Sequence, residues 1–248
     1  MEQYFYEAFE GLTRLAPGST QSTQKAASLV SFNKLNTLQI LDIGCGKGAQ
    51  TLELAKQFPH AHITAIDQHQ PFLDDLTAKA KRQGLDNRIT TINMSMFEMA
   101  FQPESFDLIW AEGSIYIAGF QTGLEQWKSL LKPGGYLICS EVSWLHDNPS
   151  SEIRAFWEED YPDIDTIPNK INQIIEHHYD YQFSFVLPKE DWTEGYYNPL
   201  EANLKSLEQQ YSNVSDALEV VTMFRQEIKL YHDYSNDFSY VFYGMVKR

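Results

Sequence analysis

The stretch Ile40-Leu41-Asp42-Ile43-Gly44-Cys45-Gly46-Lys47-Gly48 constrains this chain more than any other. Leu38 to Ile43 is apolar and β-branched enough to form a strand, with Asp42 as its one charge. Glycine then takes every second position, and Ala49 to Phe58 reads as a helix. Strand, glycine turn and helix in that order bring backbone N–H groups and a helix N-terminus against a ligand. Glycine is needed there because the turn demands positive φ and because any Cβ would hold the ligand away.

Two ligand classes use such a turn. Gly44, Gly46 and Ala49 satisfy the dinucleotide pattern G-x-G-x-x-A, so an NAD-type cofactor is one reading. Asp42 favours the other, because an acid at the strand's end repels a pyrophosphate and suits a ligand that carries positive charge. The stretch resembles motif I of the class I S-adenosylmethionine-dependent methyltransferases, whose cofactor brings a sulfonium and an ammonium. That resemblance implies an α/β fold, a Rossmann-like doubly wound seven-stranded sheet with its last strand antiparallel. It also sets Asp42, Gly44, Gly46 and Gly48 against the cofactor.

Downstream spacing agrees. His62 to Asp67 is the second strand, and Asp67 ends it 19 residues beyond Gly48, the length of one helix plus a strand. A carboxylate at that point can accept from both ribose hydroxyls, with Gln68 beside it. Arg88 to Asn93 is the third strand, followed by Ser95 and Met96, where the family often has an acid for the adenine amino group and an apolar residue for the ring. Ser95 departs from that pattern, and its hydroxyl accepts less strongly than a carboxylate. Phe106 to Ala111 is the fourth strand, and Glu112 to Tyr116 at its end falls beside the glycine turn. A helix from Leu124 to Leu131, the turn Lys132-Pro133-Gly134-Gly135 and a fifth strand from Tyr136 to Glu141 complete the resemblance. It covers residues 38–142 and is closest to the small-molecule branch that includes the ubiquinone and menaquinone biosynthesis enzymes.

Around that core (residues 37–142) five further segments are expected. Residues 1–36 hold a helix over 4–15 and a second one capped by Ser22 or Thr23, and in related methyltransferases such a segment folds over the cofactor as a lid. Residues 143–180 and 188–236 exceed the family framework and read as helical cap insertions. Residues 181–187 and 239–247 supply the final strands. Trp144, Tyr161 and Trp192 in the caps, with Tyr116, are candidates to line a substrate pocket.

Composition narrows the partners. The formal net charge is −15, and residues 141–248 hold 20 of the 34 acids. That is a poor footprint for nucleic acid, whose affinity comes largely from phosphate neutralisation, and for anionic membrane surfaces. Cys45 and Cys139 make no disulfide framework, and the N-terminal residues resemble no export signal, so a cytoplasmic setting is expected. The histidine pairs lack zinc-site spacing, and the acids around Glu158 to Asp165 lack the order of a calcium loop, so no metal is expected.

These features point to methyl transfer from S-adenosylmethionine to a small molecule. Glu112 serves cofactor binding or catalysis; Tyr116, Glu141 and His146 are further candidates for a base, each at or just after a strand end. An NAD-type oxidoreductase and a non-catalytic S-adenosylmethionine sensor are the alternatives.

Overall fold

A computed structural model describes residues 1–32 and 37–248. Two helices come first, α1 (Glu2–Ala8) and α2 (Thr20–Ser28), then β1 (Gln39–Ile43), α3 (Ala49–Gln57), β2 (His62–Asp67), α4 (Gln70–Arg82) and β3 (Ile89–Asn93). After β4 (Phe106–Glu112) come the short α5 (Ile115–Ala118), α6 (Phe120–Lys128) and the long β5 (Leu131–Trp144). The remainder is α7 (Ser151–Asp160), β6 (Asp165–Thr166), α8 (Ile167–Glu176), β7 (Tyr179–Val186), α9 (Lys189–Trp192), a π-turn over Thr193–Tyr197, α10 (Asn198–Gln210), α11 (Ser215–Tyr234) and β8 (Phe238–Lys247).

The strands form one sheet in the order β3-β2-β1-β4-β5-β8-β7. β1 to β5 pair in parallel, and β8 runs antiparallel to both neighbours. This is the doubly wound sheet with a reversed last strand that the sequence predicts. One strand is added: β6 pairs with Ser143 and Trp144, which makes eight. It exists because β5 runs to Trp144, past the end of β4 at Glu112, and so leaves hydrogen-bonding groups for a partner.

Three local expectations are corrected. Lys132-Pro133-Gly134-Gly135 is not a turn before β5 but an irregularity inside it, since Leu131 already pairs with Phe106 and Tyr136 then pairs with Leu108. The predicted helix over 4–15 stops at Ala8, where Phe9 leaves helical geometry two residues before Gly11 at φ +74°. The cap of α2 is Ser19, whose Oγ accepts from Ser22 N at 3.1 Å, rather than Ser22 or Thr23. The last residues of the predicted lid, 33–36, lie outside the described residues.

Alternation along the strands sends neighbouring side chains to opposite faces. On one face Ile40, Trp110, Ile138, Val142 and Phe242 pack with α2, α3 and the helices after β7. On the other Leu41, Ile109, Leu137, Cys139 and Tyr243 pack with α5, α6 and α8. Each aliphatic side chain buried this way contributes about 1.5–3 kcal/mol. α1 lies against α10 and α11: the rings of Tyr4 and Tyr211 are 4.9 Å apart, and Phe5 and Phe9 sit 5.3 and 5.4 Å from Phe224. Asn203 Nδ2 donates to the carbonyls of Ala8 and Glu10 at 2.9 and 2.6 Å.

One buried ion pair anchors the segment between β5 and β7. Lys170 Nζ donates to Glu141 Oε1 and to the Asp163 carbonyl, each at 2.8 Å, and lies 4.3 Å from the Phe120 ring centre. Both charged side chains have no accessible surface, and Tyr161 donates a second bond to Glu141 Oε1 at 2.6 Å. Burial pushes the Glu141 carboxyl up from its ordinary range, and the ammonium and phenol beside it oppose that. Removing one partner strands the other in a dry core. Glu141→Ala is therefore expected to lower unfolding free energy by about 3–5 kcal/mol, read as a lower urea midpoint. Pairing Glu141→Leu with Lys170→Met is expected to recover most of the loss.

Candidate functional site

β1 and β4 are neighbours, so the turn after β1 and the loop after β4 meet at the carboxyl end of the sheet. A cavity of about 280 Å³ lies there. Its floor is the turn itself. Gly44, Gly46 and Gly48 take φ of +69°, +50° and +76°, which L side chains rarely adopt. A Cβ on Gly44 would come within 2.6 Å of Ser114 Cβ, and one on Gly46 within 2.8 Å of Leu15 Cδ1. Gly48 lies off the cavity wall and faces Leu76, so its part is to start α3.

Asp67 closes the turn from the side. Its Oδ2 accepts from Gly46 N and its Oδ1 from His69 N, both at 2.9 Å, while Gly44 N and Cys45 N donate to the Ile66 carbonyl. One carboxylate thus ties the glycine turn to the start of the next loop. Each oxygen can still accept a second bond from a ligand in the cavity. Gln68, Met94 and Met96 continue this end of the wall. Ser95 does not line it: its Oγ accepts from Phe97 N at 3.2 Å and serves a local turn.

Asp42 is also off the wall, which corrects its expected contact with a ligand. It is fully buried behind the turn, where Thr51 Oγ1 donates to it at 2.5 Å and Gln50 Nε2 at 3.4 Å. Burial dominates these bonds and pushes the carboxyl up to about 7. Its route to the cavity is Gln50, which lines the wall and donates to the Cys45 carbonyl at 3.1 Å. Gln50 carries no motif signature, and only its position two residues after Gly48, in the first turn of α3, could have drawn notice.

The other end of the cavity holds Glu112, Gly113, Ser114, Tyr116 and Ile117. Ser114 Oγ donates to the Ile43 carbonyl at 2.6 Å and joins the two loops. Glu112 is engaged by Arg14, Thr23 and Trp110, so it has no free role as a base in this arrangement. Tyr116 faces the cavity with 42% of its surface accessible. The roof comes from the N-terminal segment, with Phe5, Phe9, Arg14, Leu15 and Ala16 on the wall. Arg14 and the roof aromatics went unmarked in the sequence, because an arginine in a loop and aromatics at helical spacing look like ordinary surface and core.

The remaining candidates lie elsewhere. Glu141 is locked to Lys170 and Tyr161 beneath the cavity's neighbouring elements, and His146 pairs with Asp237 at 3.1 Å on the surface. Trp144 and Trp192 are core residues: Trp192 stacks on Tyr231 at 4.4 Å and donates to Ser239 Oγ. Tyr161 is off the cavity wall and meets the site through Tyr116, the two rings near perpendicular with centres 6.1 Å apart. Among the described residues no group of three His, Cys, Asp or Glu is placed to hold a metal ion.

This turn, its acid and the strands around them carry the family signal. Residues 40–135 match the model of a methyltransferase domain. A sterol 24-C-methyltransferase of Neurospora crassa is 32% identical over 122 residues, which is 47% of this chain and 31% of that protein. The chain spans about a third of the length of the sterol methyltransferases it matches first. Solved structures agree over the whole fold. YjhP from E. coli superposes with a TM-score of 0.87 at 20% identity, covering 99% of this chain and 100% of that one. A SAM-dependent methyltransferase from Geobacter sulfurreducens, solved with S-adenosyl-L-homocysteine, gives 0.86 at 17% identity and covers 100% and 99%. At these identities the likeness establishes the class I methyltransferase fold.

Asp42 gives the site a measurable pH signature. An unfolded aspartate titrates near 3.9, and the folded one near 7. Between those values the folded chain holds a proton that the unfolded chain has lost, so this group's contribution falls as pH rises through the window. Asp42→Asn removes that loss. The stability difference between the variant and the unmutated protein is expected to grow in the variant's favour from about pH 4 to about pH 7, by up to about 1.4 kcal/mol per unit, and then level off. Urea titrations at four pH values check it, and a flat difference contradicts the buried, raised carboxyl.

Proposed function

We propose that this protein transfers a methyl group from S-adenosylmethionine to a small-molecule acceptor. The observation that carries the proposal is Asp67: a carboxylate on the cavity wall, bonded to the glycine turn, inside the segment that matches a methyltransferase domain. The donor set fits the cofactor. Asp67 offers lone pairs to vicinal hydroxyls, Met94 and Met96 offer soft apolar surface to an adenine, and the turn leaves bare backbone at Gly44 and Gly46. Ser95 is no part of that fit.

The bound cofactor supplies an electrophilic methyl group on a sulfonium. What this chain adds is alignment and exclusion of water, because an in-line displacement needs its reacting atoms held more than it needs a proton moved. Phe5, Phe9 and Ile117 make the roof and far wall apolar, which suits an acceptor with a hydrocarbon body. Tyr116 is the accessible polar side chain at that end and can orient an acceptor's nucleophile or take its hydrogen bond. Glu112, Glu141 and His146 are set aside as bases for the contacts described above.

The curated relatives reported above are sterol 24-C-methyltransferases, which act on sterols by name, so the finer resemblance to quinone-pathway enzymes gives way to a small-molecule acceptor in general. Calorimetry with S-adenosylhomocysteine, S-adenosylmethionine and NAD tests the proposal directly. The first two are expected to bind and NAD is not. Asp67→Ala is expected to weaken S-adenosylhomocysteine by roughly 1–3 kcal/mol, the cost of unpaired buried polar groups. Gly46→Val is expected to abolish binding while circular dichroism stays native. Binding of NAD alone would favour an oxidoreductase, and tight cofactor binding with no turnover across an acceptor panel would favour a sensor.

A further inference from the structure

Behind the roof, the Tyr116 end of the cavity runs up against three more tyrosines that methyl transfer itself does not use. Tyr196 of the π-turn lies nearly parallel to the roof residue Phe9, with ring centres 6.4 Å apart. Tyr197 follows it, its ring centre 5.1 Å from that of Tyr196. Tyr240 of β8 arrives from the sheet: a Cβ on Gly113, which lines the cavity, would stand 3.7 Å from its Cε2.

The rings are fixed, but their hydroxyls are not used up. Trp192 meets Tyr240 edge-on at 5.0 Å and Tyr197 at 5.8 Å, so neither phenol can swing away. Tyr197 donates to Glu227 Oε1 of α11 at 2.9 Å. Tyr196 and Tyr240 are only 5% and 9% accessible. Among the described residues neither hydroxyl has a hydrogen-bond partner, yet neither is shut off from solvent. Glu227 is half-buried, and its Oε2 is open in the same way. An unpaired hydroxyl in a dry core is costly, so open hydroxyls on buried tyrosines mark a recess that a polar group can enter.

The charges that act on this recess are acids. Burial and then the charges of Glu227, Asp160 and Glu141 push the Tyr116 phenol up to about 12. Glu227 acts on Tyr196, Tyr197 and Tyr240 as well. Burial pushes the Glu227 carboxyl itself up to about 7; the Tyr197 bond opposes this and Asp160, at the end of α7, adds to it. Cations on the neighbouring walls are spent: Arg14 on Glu112, Lys170 on Glu141, and Lys47 on the Phe9 carbonyl.

We propose that this recess receives an alkylammonium group, so that the methyl acceptor is an organic amine with an apolar body. The inference deepens the methyl-transfer reading and rests on it. An ammonium carries donors and no acceptor. Glu227 Oε2 and the hydroxyl oxygens of Tyr196 and Tyr240 offer it three open acceptors. Tyrosine faces attract a cation further, and more so away from bulk water. A carboxylate or phosphate in the same place would be repelled by Glu227. An alcohol could bond to the hydroxyls but would gain nothing from the charge. Glu227 therefore sets the charge class of the acceptor, while Phe9 and Ile117 face its hydrocarbon part.

The test uses three probes that share a chain and differ in the head group: hexylamine, hexanol and hexanoate. Calorimetry reads each on the full chain with S-adenosylhomocysteine already bound, at about pH 8, where the Glu227 carboxyl is ionised and an alkylamine is still protonated. Hexylamine is expected to bind at least about tenfold more tightly than hexanol, and hexanoate most weakly. Glu227→Gln keeps the shape and removes the charge. It is expected to weaken hexylamine roughly tenfold and to leave hexanol and S-adenosylhomocysteine within about twofold. Tyr240→Phe removes one open oxygen, is expected to weaken hexylamine by a smaller factor, and carries the comparison if Glu227→Gln does not fold. Hexanol or hexanoate binding as tightly as hexylamine would overturn the inference. So would equal weakening of hexylamine and hexanol by Glu227→Gln, or no binding of hexylamine to protein that holds S-adenosylhomocysteine. Failure of the unmutated protein to bind S-adenosylhomocysteine is a different result: it removes the methyl-transfer reading and this inference with it.

Discussion

Three left-handed residues within five positions, Gly44, Gly46 and Gly48, are the constraint on which the site depends. A backbone turned that sharply at the end of β1 makes one bond of its own, from Gly48 N to the Cys45 carbonyl at 2.9 Å. It is held by the Ile66 carbonyl, which takes two of its N–H groups, and by Asp67, which takes a third. Those acceptors come from β2, so the turn's shape is set by the pairing of β1 with β2 in register, Ile43 opposite Ile66. Ser114 then ties the loop after β4 to the Ile43 carbonyl. The cavity is what remains between two loops so fixed, and its dimensions follow from the sheet beneath it.

Much of the sheet was legible in the sequence because the period-two pattern and the glycine turn are local signals. β1 to β4 lie within a residue or two of their expected positions, and the reversed β8 follows from the family resemblance together with the apolar run that places it. The misses share a cause. The extension of β5 to Trp144 depends on β6, a partner two residues long that no local pattern announces. Lys132-Pro133-Gly134-Gly135 has the chemistry of a turn, yet pairing with β4 resumes on both sides of it.

The site was half legible. Gly44, Gly46, Asp67, Met96, Glu112 and Tyr116 are all on the cavity wall, since each sits at or just after the end of a strand there. Asp42 was expected beside the ligand and lies behind the turn, because the penultimate side chain of β1 points into the layer of α3. Trp144 and Trp192 show the limit on aromatics. A large ring near a strand end fills a core as readily as it lines a pocket, and only the packing of Tyr231, Phe238 and Tyr240 around Trp192 decides which.

The roof has a consequence for how the molecule comes to exist. Phe5, Phe9 and Arg14 are made early, but Phe224, which backs the two phenylalanines, lies more than two hundred residues later, and β8 enters the sheet between β5 and β7 later still. During synthesis at about 5–20 residues per second, β1 to β5 can assemble while the roof still has nothing to lean on. For about 5–20 seconds, the time to add the last hundred or so residues, the nascent chain would display the glycine turn with an open top and a bare edge on β5. The binding site is therefore among the last features of this protein to form, although its defining residues are among the first to leave the ribosome.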